Sequence, residues 1–303
     1  MLAAVLAGVD GPFEIKEVPA PSGEGKVVVR VRASGVNFAD VLVRRGRYPQ
    51  MPELPAVLGS EVAGELEDGT RVMAFTAGGG GYAELAAVDP SQLVPLPEHA
   101  SFAEGASFLL TFLTAYLPLT RQVQLQPGET VLVYAAAGGV GTAAIQVARA
   151  LGARVVAAVG SAEKLDLCRE LGAEEAYVYE ELPEETRVDA VVDPVGGELF
   201  AGSFARLNPL GAVIAIGSAA GAWPQIEPAR LVGRNVGLHG FYLGRLMRLE
   251  PDVVAAATGE LLELWQRDAV RPVVGRELPL ADVGRAHELV ESRRSVGKVV
   301  LVP

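Results

Sequence analysis

The segment VLVYAAAGGVGTAAIQVARALGA, residues 131–153, constrains the fold of this 303-residue chain more than any other. A β-branched, apolar run passes without a linker into small residues, Ala136-x-Gly138-x-x-Gly141, and these open a stretch with helical, amphipathic spacing. A strand that turns this tightly into a helix needs residues without bulk. The backbone at Gly138 and Gly139 is then open to close approach from a pyrophosphate. The helix start offers N–H groups that have no partner within the helix, and a pyrophosphate suits such a position. Alanine stands where the first glycine of the dinucleotide fingerprint falls, so the reading rests on strand, turn, helix and next strand all having the expected spacing.

The next strand decides which dinucleotide is expected. An NAD-type site carries Asp or Glu about 20 residues past the turn, bonded to the ribose 2′-OH. Here RVVAAV, residues 154–159, runs into Gly160 and Ser161 of GSAEKLDL, and no acid stands there against a phosphate. Ser161 suits the N-cap of the helix that follows. Lys164 then falls in the first helical turn, where the dipole disfavours a cation unless an anion is bound beside it. Two readings follow. In one, Ser161 and Lys164 hold a 2′-phosphate and the cofactor is NADPH. In the other, Lys164 is a solvated neighbour of Glu163, and Glu163 is a displaced ribose ligand that favours NADH.

Around this unit the pattern changes twice. Up to about residue 100 the chain reads as short strands broken by Gly and Pro, such as KVVVRVRASG and TRVMAFT. From there to about 244 strands and helices alternate, and the strands are near-continuous apolar runs, as in a parallel sheet covered on both faces. The remainder is mixed: PDVVAAATGELLELWQRD and ADVGRAHELVESRR are helical in period, and GKVVLVP reads as a closing strand. The expected class is α/β, with a doubly wound parallel sheet inserted in a β-rich domain. The divisions are 1–114, 115–244 and 245–303, the last returning to the first.

A net charge of −11 disfavours broad electrostatic binding to nucleic acid or to an anionic membrane surface. Apolar runs such as VVAAV, 155–159, fall short of the ~20 residues that span a bilayer. With no signal-peptide pattern, and with Cys168 the only cysteine, the chain is expected in a reducing cytoplasm. Of the three histidines, His99 and His287 read as surface residues, and His239, in VGLHG, as a core or edge residue.

GVNFADVLVRRGRYP, LGSEVAG, TAYLPL, AAAGGVG, GSAEK and ESRRSVGKVVLVP occur in an order and spacing that span the chain. With them the sequence resembles the zinc-independent quinone oxidoreductases of the medium-chain dehydrogenase/reductase superfamily, the group that includes zeta-crystallin. The resemblance implies a GroES-like, β-rich catalytic domain made from both chain ends, with a Rossmann domain between. It places Ser161, Lys164 and Tyr179 around an adenosine 2′-phosphate, and Gly139 and Val140 at the pyrophosphate turn. Thr114, Gly217, Ser218 and Phe241 fall along the nicotinamide half, and Arg293 is similar to a C-terminal arginine that reaches the cofactor. Asn37, Asp40 and Tyr48 fall at the mouth of a quinone pocket. From the residues themselves, Asn37 also reads as a helix cap, Asp40 as an i,i+4 partner of Arg44, and Tyr48 as an aromatic packed beside Pro49.

The alcohol-oxidising relatives hold a catalytic zinc with cysteine at the place of Asn37 and histidine at that of Ser60. With neither ligand the chain is expected to hold no metal and to lack a Lewis acid for an alkoxide. The resemblance then implies an NADPH-dependent reductase of an acceptor already activated toward hydride, a quinone or a conjugated enone. The rim of its pocket is altered by DGTRV, 68–72, and by the glycine-rich AGGGGYAEL. An alkenal or enoyl double-bond reductase is the alternative within enzymes, and a crystallin or RNA-binding role the alternative outside them. A homodimer is implied, paired through the strand near NVGLHG, 235–240.

Overall fold

In a computed structural model the described residues are 1–303 apart from Glu24, Ala77 and Ala222, so the first residue of AGGGGYAEL lies outside them. The chain forms two units, Met1–Leu109 with Pro272–Pro303, and Leu110–Arg271. The first unit begins with β1 (Leu2–Leu6), β2 (Phe13–Glu17), β3 (Val27–Val36), α1 (Phe38–Arg44), β4 (Ala56–Val57), β5 (Glu61–Glu65), β6 (Arg71–Phe75), β7 (Leu85–Val88), β8 (Leu93–Pro95) and α2 (Phe102–Gly105). The chain then runs through α3 (Leu109–Leu117), β9 (Thr130–Tyr134), α4 (Gly139–Ala150), β10 (Arg154–Val159), α5 (Leu165–Glu170), β11 (Glu175–Val178), β12 (Val188–Asp193), α6 (Gly197–Arg206), β13 (Leu207–Ala215), α7 (Pro228–Val232), β14 (Gly237–Gly240), α8 (Leu243–Leu249) and α9 (Pro251–Gln266). It returns with β15 (Val274–Pro279), α10 (Val283–Glu291) and β16 (Lys298–Val302).

The second unit carries a six-stranded sheet in the order β11-β10-β9-β12-β13-β14, every pair parallel. Counted from its first strand this is the order 3-2-1-4-5-6 of a doubly wound dinucleotide fold, with its switch point between β9 and β12. Leu132, Val156, Val191 and Val213 bury one sheet face against Phe200 and Phe204 of α6. Val131, Val133, Val155, Ala157 and Val192 are buried on the other face, which accounts for the near-continuous apolar strands noted in the sequence.

The first unit is antiparallel for the most part. β3 is its longest strand and pairs with β5, β7 and β16; a separate small sheet has the order β2-β1-β4. The pairing of β16 with β3 registers Val300 opposite Gly35, so the last strand of the chain lies beside the segment that leads into α1. Val36, Tyr82, Val283, Ala286 and Val299 share one core there.

Two expectations are corrected. The return to the first unit begins at Pro272, not at 245, because α9 belongs to the dinucleotide unit. Its Glu260 accepts from the Tyr116 hydroxyl at 2.7 Å and from Arg121, and Gln146 of α4 holds both the N–H and the carbonyl of Arg271. Likewise, the first division falls at 109/110, within the helical run, rather than at 114. That run, Phe102–Gln122, is long and apolar enough to cross a membrane by length and composition, against the expectation from shorter runs. Its most apolar window is 89% buried inside the protein.

Candidate active site

In the dinucleotide unit, β9 ends at Tyr134 and Ala135 turns with φ +47. Gly138 takes the N-cap position of α4, its N–H donating to Ala135 O at 2.8 Å. A Cβ at Gly141 would lie 2.3 Å from Ala135 O, so only glycine lets the helix come this close to the turn. The N–H groups of Gly139, Val140 and Gly141 head α4 with no acceptor inside it. Tyr179 belongs to this turn as much as to the next: its hydroxyl accepts from Ala135 N at 3.1 Å, and its ring stands edge-on to Tyr134. It also lies beside Gly160, where a Cβ would meet the ring at 3.6 Å.

β10 runs into Gly160 without an acid. Ser161 holds the N-cap position of a 3₁₀ turn over Ala162–Lys164 without a side-chain capping bond, and α5 follows as a short helix. The Ser161 hydroxyl donates to Glu163 Oε1 at 3.2 Å. Lys164 is half-buried, and burial draws its ammonium below the ordinary lysine range. Ser161 and Lys164 thus follow the carboxyl end of β10, and Tyr179, from after β11, reaches Gly160 and the turn after β9.

On the other side of the switch point, Gly217 and Ser218 follow β13, and the Ser218 hydroxyl is buried without a partner among the described residues. Phe241 follows β14, buried, its N–H donating to Ala215 O at 2.9 Å. Sequence reading missed Asp193, at the end of β12. Its Oδ1 accepts from Val195 N at 2.6 Å and Gly196 N at 2.9 Å, while Oδ2 is buried with no partner among the described residues. Burial raises the Asp193 carboxyl, against those two N–H groups. The signal was present as an acid closing a buried strand before PVGG. Thr114 is buried on α3. An open helix start, a β10 that ends without an acid and two buried oxygens with no partner among the described residues are a fit for a dinucleotide with a 2′-phosphate.

The first unit holds Asn37, Asp40, Tyr48 and Arg293. Asn37 is the N-cap of α1, and its N–H donates to Asp40 Oδ2 at 2.8 Å. Asp40 also accepts from the Ser60 hydroxyl at 2.7 Å and from the Tyr82 hydroxyl at 3.1 Å. Its expected pairing with Arg44 is therefore replaced: the carboxylate turns inward to three donors, and the Arg44 guanidinium lies 6.0 Å over the Phe13 ring. Burial pushes the Asp40 carboxyl up, opposed by Ser60, the Asn37 N–H, Lys298 and Tyr82. Burial and then the Asp40 charge hold the Tyr82 hydroxyl well above the phenol range.

The Asn37 amide is also occupied. Oδ1 accepts from Lys298 Nζ at 2.6 Å, and Nδ2 donates to Glu61 Oε1 at 3.2 Å. Lys298 and Glu61 form an ion pair, with side chains 4% and 1% exposed. Removing one partner of such a pair costs about 3–5 kcal/mol, because the other charge stays buried. A buried asparagine bonded in this way faces the protein, not an acceptor. Tyr48 lies half-buried in the loop after α1. Arg293 is exposed just past the end of α10, in the left-handed conformation (φ +59) usual after a helix C-cap. His287 is also corrected: it is fully buried, not a surface residue, with Nε2 3.3 Å from the Tyr82 hydroxyl.

Comparison with known proteins gives two family models. The alcohol dehydrogenase GroES-like domain matches residues 23–98, and the zinc-binding dehydrogenase model matches residues 139–259. A quinone oxidoreductase of Pseudomonas aeruginosa is 35% identical over 312 residues, 94% of this chain and 93% of its own. The quinone oxidoreductase of Thermus thermophilus, solved also in complex with NADPH, is 44% identical with a TM-score of 0.92, each chain covered in full. The Escherichia coli quinone oxidoreductase complexed with NADPH is 29% identical, with a TM-score of 0.90 over 100% of this chain and 99% of that one. The zinc in the second model's description does not fit the residues here. Asn37 and Ser60 supply an amide and a hydroxyl already bonded within the protein, and among the described residues no three of His, Cys, Asp and Glu gather as a metal set.

Proposed function

Because the chain belongs to the zinc-independent quinone oxidoreductase family of the medium-chain dehydrogenase/reductase superfamily, we propose that it is an NADPH-dependent quinone oxidoreductase that works without zinc. The observation that carries the cofactor half of this reading is the corner after β10, where Gly160, Ser161 and Lys164 stand in place of a ribose-binding acid beside the open start of α4. The relatives solved with NADPH support it.

Bound NADPH would supply the hydride. The chain's own residues bind and orient. The first turn of α4 takes the pyrophosphate, Lys164 and Ser161 the 2′-phosphate, and Tyr179 keeps the turn at Ala135 in place through its hydroxyl. Ser218 and Asp193 offer the buried oxygens at the nicotinamide side. A quinone is electron-poor and needs no Lewis acid to accept a hydride, so proximity and orientation are the protein's main share. Water or the Tyr48 hydroxyl supplies the proton. Asn37 and Asp40 shape the start of α1, since their polar groups are spent inside the first unit. The enzyme acts as a homodimer joined along β14.

An acceptor screen at fixed NADPH tests the assignment. Quinones are expected to be reduced faster than alkenals or enoyl compounds, with chelator present throughout. Turnover of alkenals in preference to quinones would replace the quinone assignment, and no turnover with any acceptor would favour a binding role.

A further inference from the structure

Lys298 is one of only four lysines, and it is buried at the start of the last strand. Three positions converge on it: Gly35 at the end of β3, Asn37 at the cap of α1 and Glu61 at the start of β5. Gly35 makes the space. A Cβ there would lie 2.7 Å from Glu61 Oε1 and 2.9 Å from Lys298 Cε. Into that space project an amide oxygen and a carboxylate oxygen, both turned on the Lys298 ammonium. A second carboxylate, Asp40, is bonded to the N–H of the same Asn37 and to Ser60.

Carboxylate and amide oxygens that converge on one point in a dry interior are a cation's surroundings. In this chain the cation is covalently attached. We propose that the Lys298 ammonium is the resident cation of this site: it balances Glu61, fixes the Asn37 amide, and so keeps a metal ion out of the place beside Asn37. The inference rests on the zinc-free half of the proposed function and gives it a cause. The two missing ligands alone leave an oxygen-rich hollow, whereas the ammonium leaves no hollow to fill.

Lys298→Met removes the charge and keeps most of the stem. It leaves the Glu61 carboxylate buried with no cation, a state relieved only by protonation or by an incoming ion. Wild type, Lys298→Met, Lys298→Arg and Lys298→Met/Glu61→Gln would be stripped with chelator and then unfolded thermally with and without Mn²⁺, Mg²⁺ or Zn²⁺. Bound metal would be counted after gel filtration. The expected result is one ion per chain and a rise of about 5–10 °C for Lys298→Met alone, the size of rise given by an ion at roughly 100 times its dissociation constant. Wild type, the arginine variant and the double variant should not respond. If Lys298→Met is unfolded in chelator, recovery of folding by one of the ions supports the proposal, and recovery by none overturns it. A folded Lys298→Met that takes no ion overturns it, as does a wild type that takes one. NADPH titrated into the wild-type sample reads the other unit, so failure there would count against the proposed function and leave the metal result intact.

Discussion

His287 carries a residue-scale consequence for stability. Its ring is fully buried beside Phe13 and Tyr82, and Nδ1 has no partner among the described residues. Burial, and after it the Arg44 charge, hold its pKa down at about 3, against 6.5 for the free side chain. The unfolded chain therefore takes up a proton that the folded chain refuses. This contribution to stability is fully present above pH 6.5 and is lost as pH falls toward 3. At pH 4.5 the loss is about 3 kcal/mol. Asp40, raised by burial, works in the opposite sense, so the histidine is isolated by comparison with His287→Gln, whose amide can still reach Tyr82. Urea unfolding of both proteins at pH 8 and pH 4.5 should show the wild type losing more on acidification than the variant, by about that amount. Equal losses would mean that the ring takes its proton within the folded state.

At the scale of elements, the parts that could be read from sequence were those set by neighbours in the chain. The turn into α4, the acid-free end of β10 and the apolar strands of the parallel sheet all follow from local period and residue type. The GSAEKLDLCRELGA segment was legible as helical but not in its form, a 3₁₀ turn leading into a short α5. The site in the first unit was legible only as a set of positions. Asn37 meets Lys298 across 261 residues and Tyr82 meets His287 across 205, and no local pattern encodes such pairings. One signal was available. Val283, Ala286, His287 and Val290 follow the i, i+3, i+4, i+7 spacing of a buried helix face, which puts His287 inside. The place of α9 was illegible for a similar reason: its helical period fits either unit, and only Tyr116, Arg121 and Gln146 decide it.

For the whole molecule, the edge formed by β14 is the feature that bears on assembly. The strand pairs with β13 on one side and ends the sheet order on the other. Leu238 on it is 38% exposed, Val232 just before it 76%, and Leu210, tied to Asn235 by its N–H, 89%. An apolar edge without lysine or proline is a template for a second copy, which would continue the sheet about a two-fold axis. Light scattering at micromolar concentration should give a dimer for the wild type and a folded monomer for Leu238→Asp. A monomeric wild type would remove the assembly from the account.

The central claim is that the dinucleotide unit is built for NADPH, and a direct test is the affinity of each cofactor for the wild type and for Lys164→Ala. A charge-assisted contact to phosphate contributes about 1.5–3 kcal/mol, so the variant should bind NADPH on the order of 10- to 100-fold more weakly. NADH should bind the two proteins alike, and more weakly than NADPH binds the wild type. Equal losses for both cofactors would show that Lys164 acts through folding. A wild type that prefers NADH would contradict the claim and pass the ribose to Glu163.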